Sequence, residues 1–104
     1  GWVLEEEGAV AGLRVLESRP GHLWLDNIAL APERQHAGAG RRLMRFVGEE
    51  ALRRGLPEVR LLTNAMMTRN LAFYRRLGFE ETERREEKGF HRVFFAIPAT
   101  RLAA

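Results

Sequence analysis

The stretch PERQHAGAGRRLM, residues 32–44, places two glycines one residue apart, Gly38 and Gly40, at the start of an amphipathic helical pattern. Glycine destabilises a helix interior by roughly 1 kcal/mol relative to alanine, so this pair needs a physical reason. The first amides of a helix have no partner within the helix, and the helix dipole adds positive charge there. Because glycine has no Cβ, an anion can approach these amides closely. The stretch therefore predicts a phosphate-binding loop between a strand and a helix.

A helix follows this loop and is predicted to end near Gly55 and Pro57. Its inward stripe is predicted to consist of Leu43, Met44, Val47, Ala51 and Leu52. Arg41 and Arg42 lie at the same end as the glycines and add positive charge. A tight turn without a ligand is the alternative explanation of the glycine pair.

Two widespread nucleotide-binding loops do not fit this stretch. It contains no Gly-x-x-x-x-Gly-Lys-Ser/Thr sequence, and Leu43 stands where the dinucleotide motif requires its third glycine. The loop therefore favours neither ATP nor a nicotinamide dinucleotide as its ligand.

Upstream of the loop, short apolar segments separated by turn signals predict strands. Residues 2–6 and 9–16 are predicted to form a β-hairpin, and residues 23–30 a third strand that Pro32 ends. Downstream, residues 59–63 form a compact apolar strand. The next helix is predicted to begin at a cap provided by Thr63 or Asn64 and to close at Gly78.

The inward side of this second helix is predicted to include Met66, Met67, Asn70, Leu71, Tyr74 and Leu77. Residues 79–85 and 92–97 then form two strands around a charged turn. The element order is βββ-α-β-α-ββ, which predicts an α+β fold (α/β in some classifications) with mixed strand directions. The 104 residues are predicted to form one domain, 1–104.

Composition excludes several classes of protein. The chain has no cysteine, and its three histidines are far apart in sequence, so we expect no disulfide framework and no metal site. It contains no apolar run of the roughly 20 residues that span a bilayer, and its first residues are acidic, unlike a signal peptide. We therefore expect a soluble, cytoplasmic protein with no membrane partner.

The positive charge comes almost entirely from arginine, with Lys88 as the single lysine. Arginine suits forked contacts with phosphate, which agrees with an anionic ligand. A biased composition, as in a GC-rich or heat-adapted source, is the alternative explanation of the many arginines. A nucleic-acid partner is disfavoured because glutamates are interspersed among the arginines, so that no continuous basic stripe forms.

Two motifs carry a resemblance to a known family. Gln35-x-x-Gly38-x-Gly40, followed by Arg41, resembles the acyl-CoA pyrophosphate motif of the GNAT superfamily of N-acyltransferases. Residues 70–79, NLAFYRRLGF, resemble the later helix of that family, which ends in Tyr-x-x-Leu-Gly-Phe. The resemblance spans about residues 2–97 and implies a mixed, mostly antiparallel sheet with a V-shaped splay, flanked by helices.

The resemblance implies acetyl-CoA as the cosubstrate. The backbone amides from His36 to Arg41 would bind the pyrophosphate, and the pantetheine arm would run along the third strand where two strands splay apart. The cofactor-binding residues implied in this way are Ile28, Ala29, Leu30, Gln35, His36, Ala37, Gly38, Ala39, Gly40, Arg41 and Asn70.

Asn70 and Tyr74 are four residues apart and therefore share a helix face. By resemblance, Tyr74 is the general acid near the sulfur, and a helix asparagine contacts the pantetheine. Many family members have that asparagine seven residues before the tyrosine, where this chain has Met67, so Asn70 or Asn64 would replace it. A purely structural role in the core is the alternative for Tyr74.

The resemblance further implies a general base on or before the third strand, where Asp26 and His22 are the candidates. The intrinsic pKa of histidine, near 6.5, suits a base, whereas an aspartate would need an ordered water or a raised pKa. A turn or capping role for Asp26 and a solvated loop position for His22 are the structural alternatives.

Family members usually begin with a further strand and two helices, which help to form the acceptor pocket. This chain starts at the hairpin, and its first strand would leave an unprotected edge, so we expect a homodimer. The leading functional hypothesis is transfer of an acetyl group from acetyl-CoA to a primary amine by direct attack. The alternative is a non-catalytic CoA-binding or regulatory module of the same fold.

Overall fold

A computed structural model describes residues 4–6, 10–13, 15–26 and 38–104 of the chain. These residues form seven strands and three helices: β1 (Leu4–Glu6), β2 (Val10–Leu13), β3 (Val15–Arg19), β4 (His22–Asp26), α1 (Ala39–Arg53), β5 (Glu58–Asn64), α2 (Thr68–Leu77), β6 (Glu80–Glu87), β7 (Phe90–Pro98) and α3 (Ala99–Ala103). No helix in these described ranges is long and apolar enough to cross a membrane.

The strands form two sheets. β1 and β2 pair antiparallel as a two-stranded sheet, and the larger sheet has the order β3-β4-β5-β7-β6. Within the larger sheet only the β4–β5 pair is parallel, and the other three pairs are antiparallel. The structure therefore confirms the α+β class and a mixed, mostly antiparallel sheet.

The core lies between the larger sheet and the helices. Alternate residues of β4, β5 and β7 are buried on one face, including Leu25, Leu61 and Phe95, which are adjacent in the strand register. The connections β4-α1-β5 and β5-α2-β6 both join parallel strands and cross the sheet in the same direction, so right-handed crossovers place both helices on this face.

The opposite face carries polar and aromatic side chains that remain partly exposed. The guanidinium of Arg19 lies 4.5 Å from the ring centre of Trp24. Arg19 also pairs with Glu17 on its own strand, as Arg60 does with Glu58 on β5. Exposed pairs of this kind contribute little stability individually.

The β-hairpin predicted from residues 2–6 and 9–16 is confirmed, but its second strand is shorter than predicted. Val10–Leu13 pairs with β1, whereas Val15–Arg19 belongs to the larger sheet and pairs with β4 through the turn at Pro20 and Gly21. Strand alternation continues through both segments, so the sequence pattern alone does not show that the chain changes its pairing partner.

The start of α2 also differs from the prediction. Thr63 and Asn64 remain in β5, because they lie opposite Val93 and Arg92 of β7, and the N-cap position of α2 is Met67. Asn64 Oδ1 instead accepts a hydrogen bond from the amide of Met66 at 2.8 Å, which shapes the turn between β5 and α2. Met66 and Met67 are 79% and 46% exposed rather than inward.

Two further predictions about the helices need correction. Leu52 is 43% exposed, and the buried face of α1 includes Glu50 instead. The short helix α3 was not predicted, because Ala99–Ala103 is too short to show a helical period. Its first amide donates to the carbonyl of Pro57 at 2.8 Å, and it packs against α1.

Candidate active site

Helix α1 begins at a glycine in a conformation that other residues rarely adopt. Gly38 has φ +89° and precedes Ala39, the first helical residue. The carbonyl of Gly38 accepts a hydrogen bond from the amide of Arg42 at 2.9 Å. Gly38 has no side chain to cap the helix, and the first turn contains no acidic residue. Within the described residues, no side chain therefore caps or neutralises the positive end of this helix.

Three arginines near this helix start have no acidic partner within the described part of the chain: Arg41, Arg42 and Arg45. Arg41 and Arg45 are exposed, and the guanidinium of Arg42 lies 3.5 Å from the position a Cβ of Gly38 would occupy. Most other arginines are in ion pairs: Arg19, Arg53, Arg54, Arg60, Arg75, Arg84, Arg85 and Arg92. Among the described residues, the positive charge of Arg41, Arg42 and Arg45 is therefore not balanced by an ion pair.

The rest of the predicted carrier-binding segment lies outside the described residues. This applies to Ile28, Ala29, Leu30, Gln35, His36 and Ala37, whereas Gly38, Gly40 and Arg41 are at the start of α1 and Asn70 is in α2. Gly40 is buried. Among the described residues, pairing between β4 and β5 runs from His22 and Glu58 to Leu25 and Leu61.

A small polar cluster joins the end of β5 to the start of α2. The sulfur of Met67 lies 3.8 Å from Thr63 Oγ1 and 3.7 Å from Asn70 Nδ2, and both groups donate to it. Thioether sulfur is a weak acceptor, so these two buried donors are held loosely. The sequence analysis did not predict that Thr63 and Met67 belong to this cluster. The available signal was that Met67 stands where many family members have the asparagine that contacts the pantetheine.

Tyr74 lies in the core with its ring 1% exposed. Its ring centre is 5.5 Å from that of Phe79 and 5.9 Å from that of Phe95, which are edge-on and tilted contacts. Its hydroxyl makes no hydrogen bond to the residues that the structure describes. Burial raises the pKa of this phenol well above its usual value near 10. Tyr74 is thus both a core ring and a neutral hydroxyl without a described partner.

The two candidate bases lie on the same face of β4 but at opposite ends. His22 is opposite Glu58 at the start of the β4–β5 pair, whereas Asp26 directly follows Leu25 at its end. Four residues of strand separate them by about 13 Å. Burial, followed by the charges of Arg60 and Arg19, lowers the pKa of His22. Asp26 is exposed.

The register also places these candidates relative to Tyr74. Phe95, which the Tyr74 ring contacts, is opposite Leu61, and Leu61 is opposite Leu25. Tyr74 is therefore level with the end of β4, next to Asp26 in the register, and three residues beyond His22. At this level Asp26 and Tyr74 lie on opposite faces of the sheet, since Leu25 and Asp26 point in opposite directions.

Comparison with known proteins agrees with this fold. Residues 1–81 match the family model described as an acetyltransferase (GNAT) domain. The chain belongs to this family, as the resemblance of its two motifs predicted. No curated protein matches the sequence.

Several solved structures share the fold. The ribosomal-protein-S18-alanine N-acetyltransferase from Escherichia coli is 26% identical, with a TM-score of 0.69 over 82% of this chain and 59% of its own. The IAA acetyltransferase from Bacillus cereus is also 26% identical, with a TM-score of 0.65 over 80% and 66% of the two chains. A GNAT family acetyltransferase from Elizabethkingia anophelis with acetyl-CoA bound is 21% identical, with a TM-score of 0.69 over 80% and 65%. The chain thus spans less than two thirds of the length of these relatives.

Proposed function

We propose that this chain transfers an acetyl group from acetyl-CoA to a primary amine by direct attack through a tetrahedral intermediate. The observation that carries the proposal is the start of α1 at left-handed Gly38, without an acidic residue in its first turn and with Arg41 and Arg42 unpaired among the described residues. In a chain of the acetyltransferase (GNAT) family, that helix start suits the pyrophosphate of the carrier.

The carrier would bind in two parts. The pyrophosphate would accept hydrogen bonds from the backbone amides of residues 36–41, and Gln35 would border the same loop. The pantetheine arm would run along residues 28–30, which follow β4 in the sequence, and reach Asn70 on α2.

Tyr74 would assist departure of the thiolate as a hydrogen-bond donor. Burial raises its pKa, so the phenol stays neutral at physiological pH. A thiol has a pKa near 8.5 against about 10 for free tyrosine, so complete proton transfer to a free thiolate is uphill by about 2 kcal/mol even before burial acts. A hydrogen bond from the phenol that strengthens as charge develops on sulfur is therefore the more favourable role.

Deprotonation of the amine is the larger energetic problem. An amine with a pKa near 10.4 costs roughly 4 to 5 kcal/mol to deprotonate at pH 7. Asp26 would be the better placed of the two candidate bases, because it is exposed and next to the level of Tyr74, although it lies on the opposite face of the sheet from that ring. His22 is chemically suitable because its lowered pKa keeps it neutral, but it lies at the other end of β4.

The test combines binding and turnover. Calorimetry with acetyl-CoA measures binding, and detection of free thiol with a panel of amines measures transfer. The panel includes a peptide with an N-terminal alanine, because one structure that shares the fold is an S18-alanine N-acetyltransferase. It also includes lysine, a polyamine, an amino acid and an aminoglycoside.

Each outcome has a defined meaning. Binding together with amine-dependent thiol release supports the proposal. Binding without release by any amine supports the alternative, a non-catalytic CoA-binding module. No heat with millimolar acetyl-CoA contradicts both. The homodimer stays a prediction, and sedimentation of the protein at tens of micromolar tests it.

A further inference from the structure

The three methionines of the chain lie in different environments. Met44 is fully buried in the core, whereas Met66 and Met67 are exposed at the turn between β5 and α2. A hydroperoxide dissolved in water can therefore reach Met66 and Met67, while the core protects Met44. Oxidation of the folded protein by such a reagent is thus directed to these two adjacent residues.

The sulfur of Met67 has an environment that the sulfur of Met66 lacks. Thr63 Oγ1 and Asn70 Nδ2 donate to the Met67 sulfur from 3.8 and 3.7 Å. Both donor residues are more than nine-tenths buried. Among the described residues, Met66 takes part in a side-chain hydrogen bond only through its backbone amide, which donates to Asn64. An exposed methionine and two buried donors therefore meet at Met67.

The two donors belong to different elements of the fold. Thr63 is in β5, where it lies opposite Val93 of β7, and Asn70 is in the first turn of α2. Met67 is the N-cap residue of α2 and stands between them in the sequence. The sheet and the helix thus fix the positions of the two donors, and the flexible thioether side chain can adjust to them.

We infer that Met67 is a site of reversible oxidation by a hydroperoxide, and that Thr63 and Asn70 donate hydrogen bonds to its sulfoxide oxygen. In this step the sulfur attacks the outer oxygen of the hydroperoxide, so that a sulfur–oxygen bond forms and the oxygen–oxygen bond breaks. The proton of the transferred oxygen moves to the leaving oxygen, which departs as water when the oxidant is hydrogen peroxide. The sulfur is oxidised and the peroxide is reduced. A methionine sulfoxide reductase reverses the change at the expense of a pair of thiols.

The distances favour the oxidised form. A thioether sulfur is a weak acceptor, so the two donors gain little from it in the reduced protein. The sulfoxide oxygen extends from the sulfur by one covalent bond, which brings an acceptor within the usual hydrogen-bond distance of about 2.7 to 3.2 Å from the donors. Sulfoxide formation usually disrupts a buried methionine, but Met67 is exposed and the new hydrogen bonds oppose that effect.

Oxidation also changes the availability of Asn70. Its side-chain amide is held only by the weak contact with sulfur in the reduced protein, and by the sulfoxide oxygen after oxidation. Asn70 is a proposed contact of the carrier, so oxidation of Met67 is expected to weaken acetyl-CoA binding. This consequence rests on the proposed function, whereas the modification itself does not.

The experiment uses two matched variants. Met66→Leu retains Met67 as its single exposed methionine, and Met67→Leu retains Met66. Each folded variant is treated with hydrogen peroxide, and peptide mass mapping is expected to locate one added oxygen at the remaining exposed methionine. Absence of the added oxygen from Met67, under conditions that oxidise Met66, would overturn the inference.

Melting temperatures then test the proposed hydrogen bonds. Oxidation is expected to raise the melting temperature of Met66→Leu by about 2 to 6 °C, the shift that one or two new hydrogen bonds produce in a domain of this size. A methionine sulfoxide reductase should reverse the rise. The melting temperature of Met67→Leu should stay unchanged, because the Met66 sulfur has no such donors. A lowered or unchanged melting temperature of oxidised Met66→Leu would overturn the inference.

Two measurements identify the donors in the Met66→Leu background. Thr63→Val removes the hydroxyl and keeps the branched shape, so the oxidation-induced rise should fall by about half, the share of one of the two hydrogen bonds. Thr68→Val is the control, because Thr68 is exposed and does not donate to the sulfur. Nuclear magnetic resonance needs no donor variant, and a side-chain amide proton of Asn70 should shift downfield on oxidation. A full rise in Thr63→Val together with an unshifted Asn70 signal would contradict the proposed contacts.

Calorimetry with acetyl-CoA separates this inference from the proposed function. Oxidised Met66→Leu is expected to bind acetyl-CoA about two- to tenfold more weakly than the reduced variant, which is the effect of one hydrogen bond. Equal affinities would overturn the consequence for the carrier. Failure of the reduced protein to bind acetyl-CoA would contradict the proposed function, while the melting temperatures and the Asn70 signal would still decide the modification.

Discussion

The buried carboxylate of Glu50 accepts a hydrogen bond from Nε of Arg54 at 2.7 Å, one helical turn away on α1. Arg53 adds two hydrogen bonds to the same carboxylate, and Arg54 also donates to Ser18 Oγ on β3 at 3.0 Å. Glu50 therefore links the end of α1 to the edge strand of the larger sheet. The hydrogen bonds from Arg53 and then Arg54 lower the pKa of Glu50 from 4.5 to about 2.

This relationship predicts a loss of stability in acid. Because the pKa of Glu50 is lower in the folded chain, its contribution is present above pH 4.5 and is lost as the pH falls towards 2. Glu50→Gln is expected to cost about 1 to 3 kcal/mol at pH 7 and to flatten this part of the pH dependence. Melting temperatures between pH 7 and pH 2 measure both effects.

Glu49→Gln is the matched control for this prediction. Glu49 precedes Glu50 on α1 and is exposed, so its replacement should leave stability nearly unchanged. Equal effects of the two substitutions on the melting temperature would show that the pairing of Glu50 with Arg53 and Arg54 does not stabilise the folded chain.

A second prediction concerns the role of Gly38. Gly38→Ala forces a residue with a Cβ into a left-handed conformation, which costs about 1 to 2 kcal/mol, beside the anion site. We expect acetyl-CoA to bind about tenfold more weakly, since that strain is relieved by reshaping the loop. Gly55→Ala is the control, because Gly55 has φ +74° in open space at the other end of α1. Calorimetry should show an affinity loss for Gly38→Ala alone, while thermal melting shows similar destabilisation in both.

A third prediction concerns Tyr74. Tyr74→Phe keeps the ring that packs against Phe79 and Phe95 and removes a hydroxyl without a described partner, so folding should be preserved. Under the proposed mechanism kcat falls about ten- to a thousandfold, within the range of general acid catalysis. The dissociation constant for acetyl-CoA should change little. An unchanged kcat would leave Tyr74 with a role in the core alone.

A fourth prediction concerns the contact between α1 and α3. A Cβ on Gly48 would lie 2.6 Å from the backbone nitrogen of Ala103 and 2.9 Å from the backbone carbon of Leu102. Gly48→Ala should therefore destabilise the protein by about 1 to 3 kcal/mol through overpacking, although alanine normally favours a helix. Gly89→Ala is the control, because Gly89 has φ +83° with open space around it and its substitution introduces backbone strain without a clash. Denaturant unfolding measures both, and a stabilised Gly48→Ala would contradict the packing of α3.

Much of the fold is visible in local patterns. The period of the apolar residues identifies α1 and α2, and the alternation in residues 59–63 and 92–97 identifies β5 and β7. Gly38 and Gly78 have positive φ at the start of α1 and the end of α2, where the sequence placed them. Such signals are readable because they depend on the conformation of a few neighbouring residues.

The misplaced elements share a different cause. Val10–Leu13 and Val15–Arg19 have similar alternation but pair with different strands, and Thr63 and Asn64 extend β5 because β7 lies opposite them. Neither choice is encoded in the segment itself. Strand ends depend on partners that are distant in sequence, and Met66 is exposed because the turn shaped by Asn64 precedes the helix.

By itself, the sequence determined the helix period, the glycines that start α1 and end α2, and membership of the family through two local motifs. Only the tertiary structure decided that Glu50 is buried between two arginines, that Asp26 and not His22 is level with Tyr74, and that the sulfur of Met67 contacts Thr63 and Asn70. The physical reason is that periodicity and left-handed turns are properties of adjacent residues, whereas burial, register and contacts between elements are properties of surfaces that meet only after the chain has folded.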